Sequence, residues 1–190
     1  MLWNNLERKF KKRGPWITKF VINGKEYGGS YNAMKDNRLK YFLEYFPNVH
    51  TILELGRLEV GHTFGMAKHP SVTKVTGIEV RKSNIEKSRF VQRELGVSNV
   101  EFIEGNLEDS DLSRFGSFDA VFCVGLLYHL PQPWKLIEQI SQVSRNMFLW
   151  THYADSEKAN EIVHGYKGMT YTEGGIHEPL RLHHHRDPEG

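Results

Sequence analysis

The stretch TILELGRLEVGHTFGMAKH, Thr51 to His69, decides the fold. It opens with an apolar run typical of a buried strand, turns at Gly56, and continues from about His62 to Lys68 with the spacing of a helix. A buried strand that turns directly into a helix is the unit from which parallel sheets are built. Nucleotide-binding turns of this kind usually carry more glycines. The stretch therefore raises the question of which ligand, if any, it holds.

The same strand-and-helix pattern repeats downstream as far as residue 154. Four more apolar stretches predict strands, and two intervening segments have helical spacing. The strands are VTKVTGIEV, NVEFIEGN, FDAVFCVG and NMFLWTHYA, and the helices are KSNIEKSRFVQRELG and PWKLIEQISQVS. The repeated units with short loops predict an α/β fold, in which a parallel sheet carries helices on both faces.

The first 48 residues have a different pattern. Two short strand-like pieces flank Asn23-Gly24, a dipeptide that favours a tight hairpin turn. The segment NAMKDNRLKYFLEYF then has apolar residues at helical spacing, and Pro47 ends it. We therefore predict three regions: an N-terminal cap of hairpin plus helix (1–48), a ligand-binding core (49–154) and an irregular tail rich in Gly and His (155–190).

Composition limits the class of protein. The chain has 190 residues and a formal net charge of +2, which suits one globular domain and does not indicate a nucleic-acid partner. The single cysteine, Cys123, excludes an intramolecular disulfide, and no apolar run is long enough for a membrane helix. We expect a cytoplasmic protein with no membrane contact. The basic opening LERKFKKR fits either a solvated helix face or a polyanion contact.

Polar residues follow the predicted strands, and in open α/β sheets ligands bind beyond the carboxyl ends of the strands. Gly56 permits a tight turn and a close approach of ligand to backbone. Glu79 ends the second strand of the series, where a carboxylate can accept hydrogen bonds from ribose hydroxyls. Asn106 follows the third strand and can bond an adenine edge, while Leu107 packs on the ring. Each feature alone also fits an ordinary turn or strand end, but together they indicate an adenosine-bearing cofactor.

These motifs resemble those of a known family. LELG, GIEV, EFIEGN and FDAVFCVGLLYHLPQPWKLIEQI are similar to the motif series of Rossmann-like S-adenosylmethionine-dependent methyltransferases, over roughly Ile52 to Ala154. The last motif also resembles the tRNA wobble-uridine carboxymethyl-transferring relatives. The resemblance implies S-adenosylmethionine as cofactor and a small-molecule acceptor with an oxygen or nitrogen nucleophile. It also implies a set of cofactor-binding residues: Glu54, Gly56, Arg57, Gly61, Glu79, Asn106, Leu107, Val124 and Gly125.

Two departures from the family pattern stand out. Its first motif has glycines where this chain has Leu58 and Val60, and a β-branched residue is strained at positive φ. We therefore expect a rearranged loop or a lowered cofactor affinity. The family also completes its sheet with two more strands, whereas 155–190 contains no convincing apolar pair. We expect those strands to be missing or reduced, and the exposed edge to be covered by a second copy or a partner chain.

Catalytic candidates lie at the ends of the last two predicted strands. His129 and His152 could serve as a base near neutral pH, and Tyr128 and Tyr153 could shape the acceptor pocket. For Tyr128 and His129 the alternative is that they pack on or cap the following helix. We predict no metal site, because the histidine run at 183–185 cannot face one ion from regular structure and has no supporting carboxylate or cysteine.

Three alternatives to methyl transfer onto a small molecule remain open. A non-catalytic methyltransferase-like scaffold is favoured by Leu58, Val60 and the short C-terminus. An RNA-modifying methyltransferase is suggested by the basic opening and by GLLYHL. A nicotinamide-dependent oxidoreductase would need a G-x-G-x-x-G motif, which the chain lacks.

Overall fold

The computed structural model describes residues 3–56, 59–108, 110–151, 162–163 and 166–167. Five α-helices lie in these ranges: α1 (Trp3–Arg13), α2 (Asn37–Tyr45), α3 (Gly61–Ala67), α4 (Lys82–Leu95) and α5 (Pro133–Val143). The strands are β1 (Lys19–Ile22), β2 (Lys25–Gly28), β3 (Thr51–Leu55), β4 (Lys74–Glu79), β5 (Val100–Glu104), β6 (Ala120–Val124), β7 (Met147–Trp150), β8 (Ile162–Val163) and β9 (Tyr166–Lys167). None of these helices is long and apolar enough to cross a membrane.

The main sheet has five parallel strands in the order β5-β4-β3-β6-β7. This confirms the predicted α/β fold with a parallel sheet. The chain moves outward in one direction from β3 through β4 to β5 and then returns to place β6 on the other side of β3. The strand order therefore reverses between β3 and β6, and a ligand crevice is expected at their carboxyl ends.

Both faces of the sheet are covered, because successive strand residues point to opposite sides. Ile52 of β3 and Phe122 of β6 belong to the core that also contains buried residues of α4 and of the first 48 residues. Leu53 and Cys123 face the opposite core, which α5 closes. The predicted arrangement of helices on both faces is confirmed.

The N-terminal residues share the first of these cores with the sheet. The ring of Phe10 on α1 lies 5.1 Å from that of Tyr27 on β2 and 5.0 Å from that of Phe90 on α4. The β1–β2 hairpin turns at Asn23-Gly24, both at positive φ, as the dipeptide predicts. One face of α1 is therefore buried in the core.

The helix predicted from NAMKDNRLKYFLEYF is divided in the structure. A short 3₁₀ turn covers Ala33–Lys35, Asp36 is extended, and α2 begins at Asn37. The prediction of one continuous helix is wrong at its start because the carboxylate of Asp36 accepts the N–H of Arg38 at 2.8 Å and caps α2. Pro47 follows the end of this helix, as predicted.

Glu59 joins the N-terminal segment to the turn after β3. Its carboxylate accepts the backbone N–H groups of Ile17 and Thr18, each at 2.7 Å, and pairs with the ammonium of Lys87 on α4 at 3.2 Å. The Glu59 side chain is only 6% exposed. A buried carboxylate is stable only with such partners, so Glu59 holds together three segments that are distant in sequence.

Candidate active site

A cavity of about 690 Å³ lies at the carboxyl ends of β3, β4, β5 and β6, where the strand order reverses. Its volume is in the range of small-molecule sites. Eight residues predicted from the sequence line it: Gly56, Glu79, Asn106, Leu107, Val124, Gly125, Tyr128 and His129. Eleven others also line it: Tyr31, Arg38, His62, Ile78, Val80, Arg81, Gly105, Glu108, Leu126, Leu130 and Trp150.

Two of the described site residues predicted from the sequence, Glu54 and Gly61, are not among those that line this cavity. Arg57, His152 and Tyr153 lie outside the described residues, as does Leu58. Glu54 is buried in β3, where its carboxylate accepts a hydrogen bond from the hydroxyl of Thr63. A Cβ on Gly61 would overlap the methyl group of Ala33 and lie 2.9 Å from Cγ2 of Thr18. The structure therefore gives Gly61 a packing reason, the close docking of the N-terminal segment on α3.

Glu79 is the buried carboxylate of the cavity. Both the backbone N–H and Nε of Arg81 donate to its Oε1, at 2.8 and 3.3 Å, and the side-chain amide of Asn84 donates to its Oε2 at 3.2 Å. These bonds fix the carboxylate at the end of β4 without using all of its acceptor positions. Glu79 is thus arranged to accept a further hydrogen bond from a ligand, such as one from a ribose hydroxyl.

The wall beside Glu79 is mostly apolar. Ile78, Val80 and Leu107 line it, and Leu107 and Ile78 belong to the core that α5 closes. Asn106 is exposed at the rim, where its side-chain oxygen accepts the N–H of Glu108 at 3.2 Å. A flat aromatic group with a polar edge, such as adenine, fits between apolar side chains and an amide of this kind.

The turn after β3 combines a glycine with a strained valine. Gly56 has φ +77°, and a Cβ there would lie 2.6 Å from Cβ of Leu126. Val60, the residue before α3, has φ +55° and ψ +11° and is 1% exposed. Val60 itself thus has a backbone conformation typical of glycine. Burial of the valine side chain in the core stabilises this conformation against its strain.

Because Val60 has a strained backbone, we expect its glycine and alanine variants to differ in stability in the opposite sense from the usual one. A non-glycine residue in the left-handed region costs about 1–2 kcal/mol. Val60→Ala loses buried methyl groups and keeps this strain, whereas Val60→Gly loses slightly more surface but relieves it. We expect the glycine variant to be at least as stable as the alanine variant in urea unfolding. At Val75, buried in β4, the order should be the usual one, with alanine more stable by about 1 kcal/mol. If the alanine variant is clearly more stable than the glycine variant at Val60 as well as at Val75, the backbone of Val60 is not strained.

Three of the lining residues, Tyr31, Arg38 and His62, share one carboxylate in an arrangement that the sequence patterns did not indicate. We call Tyr31, Asp36, Arg38 and His62 the polar cluster. Asp36 accepts hydrogen bonds from all three others: from the Tyr31 hydroxyl, from Nε of Arg38 at 3.0 Å, and from Nε2 of His62 at 2.9 Å. No local motif signals this cluster, because its members come from three different segments.

Burial acts to raise the pKa of Asp36, but hydrogen bonds from His62, Arg38 and Tyr31 outweigh it and hold that pKa well below its usual range. Burial, together with the bond to Asp36, raises the pKa of Tyr31 to about 12. Near neutral pH the cluster therefore contains an ionised carboxylate and a neutral phenol. The guanidinium of Arg38 also lies 4.6 Å from the ring centre of Trp150, which places a cation beside the end of β7.

Tyr128 and His129 lie in a 3₁₀ turn after β6, Leu127–His129. Their rings pack together with centres 4.2 Å apart, and burial raises the pKa of Tyr128. The His129 residue is exposed at the rim. Both residues line the cavity and their rings pack on each other, while the start of α5 has no side-chain cap.

Comparison with known proteins agrees with this geometry. The family model described as "Methyltransferase domain" matches residues 50–177. The ubiquinone biosynthesis O-methyltransferase of Vibrio campbellii is 31% identical over 102 residues, which are 53% of this chain and 42% of that protein. The chain thus spans less than half the length of this curated relative.

Solved structures extend the likeness to most of the chain. The N-terminal domain of EvdMO1 with SAH bound is 36% identical, with a TM-score of 0.74, and the match covers 88% of this chain and 72% of that one. The same domain in the presence of SAH and D-fucose gives the same values. A parallel sheet in this strand order, a cavity at its switch point and these matches lead to one conclusion: the chain belongs to the Rossmann-like S-adenosylmethionine-dependent methyltransferase family.

Proposed function

We propose that the chain binds S-adenosylmethionine and methylates an oxygen or nitrogen of a small molecule. The observation that carries this proposal is that one cavity is lined by the carboxylate of Glu79, by apolar side chains, and by Tyr31, Arg38 and His62 of the polar cluster. The cofactor would be held by Gly56, Glu79, Asn106 and Leu107, and when bound it supplies an electrophilic methyl group. The acceptor would lie toward His62 and Tyr128.

The residues of this chain do the remaining work of binding and orientation. Glu79 accepts from a ribose hydroxyl, and the apolar wall excludes water from the adenine. Methyl transfer needs chiefly that the acceptor be held in line and, for a hydroxyl or ammonium, that its proton be removed. The polar cluster supplies both hydrogen-bonding groups and an ionised carboxylate on the acceptor side.

Calorimetric titration with S-adenosylhomocysteine tests the proposal. We expect saturable binding at one site, because the cavity and the Glu79 carboxylate are already formed in the structure. Acceptors are then screened by release of S-adenosylhomocysteine from S-adenosylmethionine, beginning with D-fucose, which was present with the related EvdMO1 domain. No heat at millimolar ligand would contradict cofactor binding and favour the non-catalytic scaffold.

Other expectations from the sequence remain proposals. The regions 1–48, 49–154 and 155–190 serve as cap, core and tail in this proposal. β7 forms one edge of the main sheet among the described residues, and a second copy or a partner chain would cover that edge. The lone cysteine supports a reducing, cytoplasmic compartment. RNA as the acceptor stays an alternative that rests on the basic opening and on GLLYHL.

A further inference from the structure

We propose that His62, held by Asp36, takes the proton from the methyl acceptor. This inference rests on the proposed function and assigns the base to a residue of α3 instead of to the strand-end histidines. It is carried by the hydrogen-bonding of the imidazole, by its burial and by its position on the cavity wall.

The imidazole of His62 is held on several sides. Its Nε2 lies 2.9 Å from Oδ2 of Asp36 and 3.3 Å from the hydroxyl of Tyr31. Its ring packs edge-on against Phe122 of β6, with centres 5.4 Å apart. The side chain is 16% exposed and lines the same cavity as Gly56 and Gly125. A ring fixed in this way is already oriented before an acceptor enters.

The hydrogen bond between Asp36 and His62 determines which nitrogen of the imidazole can accept a proton. The side chain of Asp36 is 6% exposed, and its hydrogen bonds keep it ionised near neutral pH. An ionised carboxylate only accepts hydrogen bonds. The neutral imidazole therefore carries its proton on Nε2, and this N–H donates a hydrogen bond to Asp36. Nδ1 then holds the lone pair. A carboxylate that orients a histidine and stabilises its protonated form is a recurrent arrangement for proton removal.

With His62 as the base, every proton and electron pair of the methyl transfer is accounted for. The proton of the acceptor moves to Nδ1 of His62 while the acceptor atom bonds to the methyl carbon and the electron pair of the broken carbon–sulfur bond stays on sulfur. The imidazolium formed is then paired with the Asp36 carboxylate. From the described elements packed against His62, the ionisable groups are Tyr31, Asp36 and Arg38, and the contact from β6 is the uncharged ring of Phe122.

His129 lacks this support in the described part of the chain. Its residue is exposed, its ring packs on Tyr128, and no described carboxylate bonds to its imidazole. A histidine without a fixed partner has neither a set tautomer nor a set orientation. The structure therefore favours His62 over His129, although both line the cavity.

The first test reads the tautomer directly and does not need a known acceptor. Long-range proton–nitrogen NMR spectra of the isotope-labelled full chain are recorded near pH 8, and His62 is assigned by its loss in His62→Gln. We expect the Nε2–H tautomer in the wild type and a mixed population in Asp36→Asn, in which asparagine still caps α2. A neutral ring with its proton on Nδ1 would overturn the proposal whatever the acceptor.

The second test is kinetic, with the acceptor identified by the screen that begins with D-fucose. We expect His62→Gln to lower kcat by about 100-fold or more while KM for S-adenosylmethionine stays nearly unchanged. For a reaction that needs an unprotonated base, kcat of the wild type should rise with pH, and this rise should be absent in His62→Gln. The matched control is His50→Gln, since His50 bonds the carbonyl of Ser71 at the opposite end of β3.

The outcomes separate the two proposals. Wild-type kcat in His62→Gln, or a loss of the pH dependence in His129→Gln instead, would overturn the role of His62 and leave the methyltransferase activity standing. Absence of S-adenosylhomocysteine binding by the wild type would overturn the proposed function and the base role together. Binding with the Nδ1–H tautomer would overturn the base role alone.

Discussion

Replacement of Glu59 by alanine is expected to lower the free energy of unfolding by about 3–5 kcal/mol. The carboxylate is buried and accepts two backbone N–H groups as well as the ammonium of Lys87. Its removal leaves the buried amide of Thr18 and the partly buried amide of Ile17 without this acceptor, and an unmade buried bond costs about 1–3 kcal/mol. Urea unfolding followed by circular dichroism measures the loss.

Glu101→Ala is the matched control for this change. Glu101 pairs with Lys74 at 2.7 Å, but both side chains are about half exposed. Solvent screens such a pair, so its loss should cost at most about 1 kcal/mol. Similar losses for the two variants would show that the Glu59 contacts do not join the N-terminal segment to the sheet.

Replacement of Glu79 by alanine is expected to weaken S-adenosylhomocysteine binding by about 10- to 100-fold. Hydrogen bonds to a charged group are worth about 1.5–3 kcal/mol, which corresponds to this range. The effect should appear in the dissociation constant measured by calorimetry, with one site still occupied at saturation.

A neighbouring carboxylate supplies the control for Glu79. Glu104 is its register partner on β5 and is exposed, and it is not among the residues that line the cavity. Glu104→Ala should therefore bind the ligand like the wild type. A Glu79→Ala variant with unchanged affinity would show that the ribose is held elsewhere, even if the ligand still binds.

Local patterns were sufficient to predict the sheet. Apolar runs such as FDAVFCVG have no other stable place than a strand covered on both faces, and Gly96 marks a helix end because it takes φ +65°. The carboxyl ends of parallel strands lie at one edge of the sheet. The strand pattern of the sequence therefore predicts that Glu79 and Gly125 line one cavity.

The polar cluster could not be predicted in the same way. Asp36 and His62 are separated by 26 residues, and their meeting depends on how the N-terminal segment docks on α3. That docking needs the missing side chain of Gly61, a glycine whose sequence position suggested a ligand contact. A local pattern cannot distinguish a glycine that admits a ligand from one that admits a neighbouring segment.

Val60 shows a different limit of sequence reasoning. The intrinsic preference of valine argues against positive φ, yet burial of its side chain in the shared core keeps the backbone there. Packing at distant positions overrode the local preference, and the residue types around the turn do not reveal that balance.

The Glu59 and α1 contacts also affect the order in which a growing chain can fold. The backbone N–H of Ile17 bonds Glu59, 42 positions later in the chain, and the ammonium of Lys9 bonds Glu94, 85 positions later. During synthesis the N-terminal residues emerge first, but their partners leave the ribosome much later. The part of α1 that packs on Phe90 therefore stays uncovered until α4 has been made. Contacts of such high sequence separation slow folding, so assembly of the N-terminal segment onto the sheet is a late event.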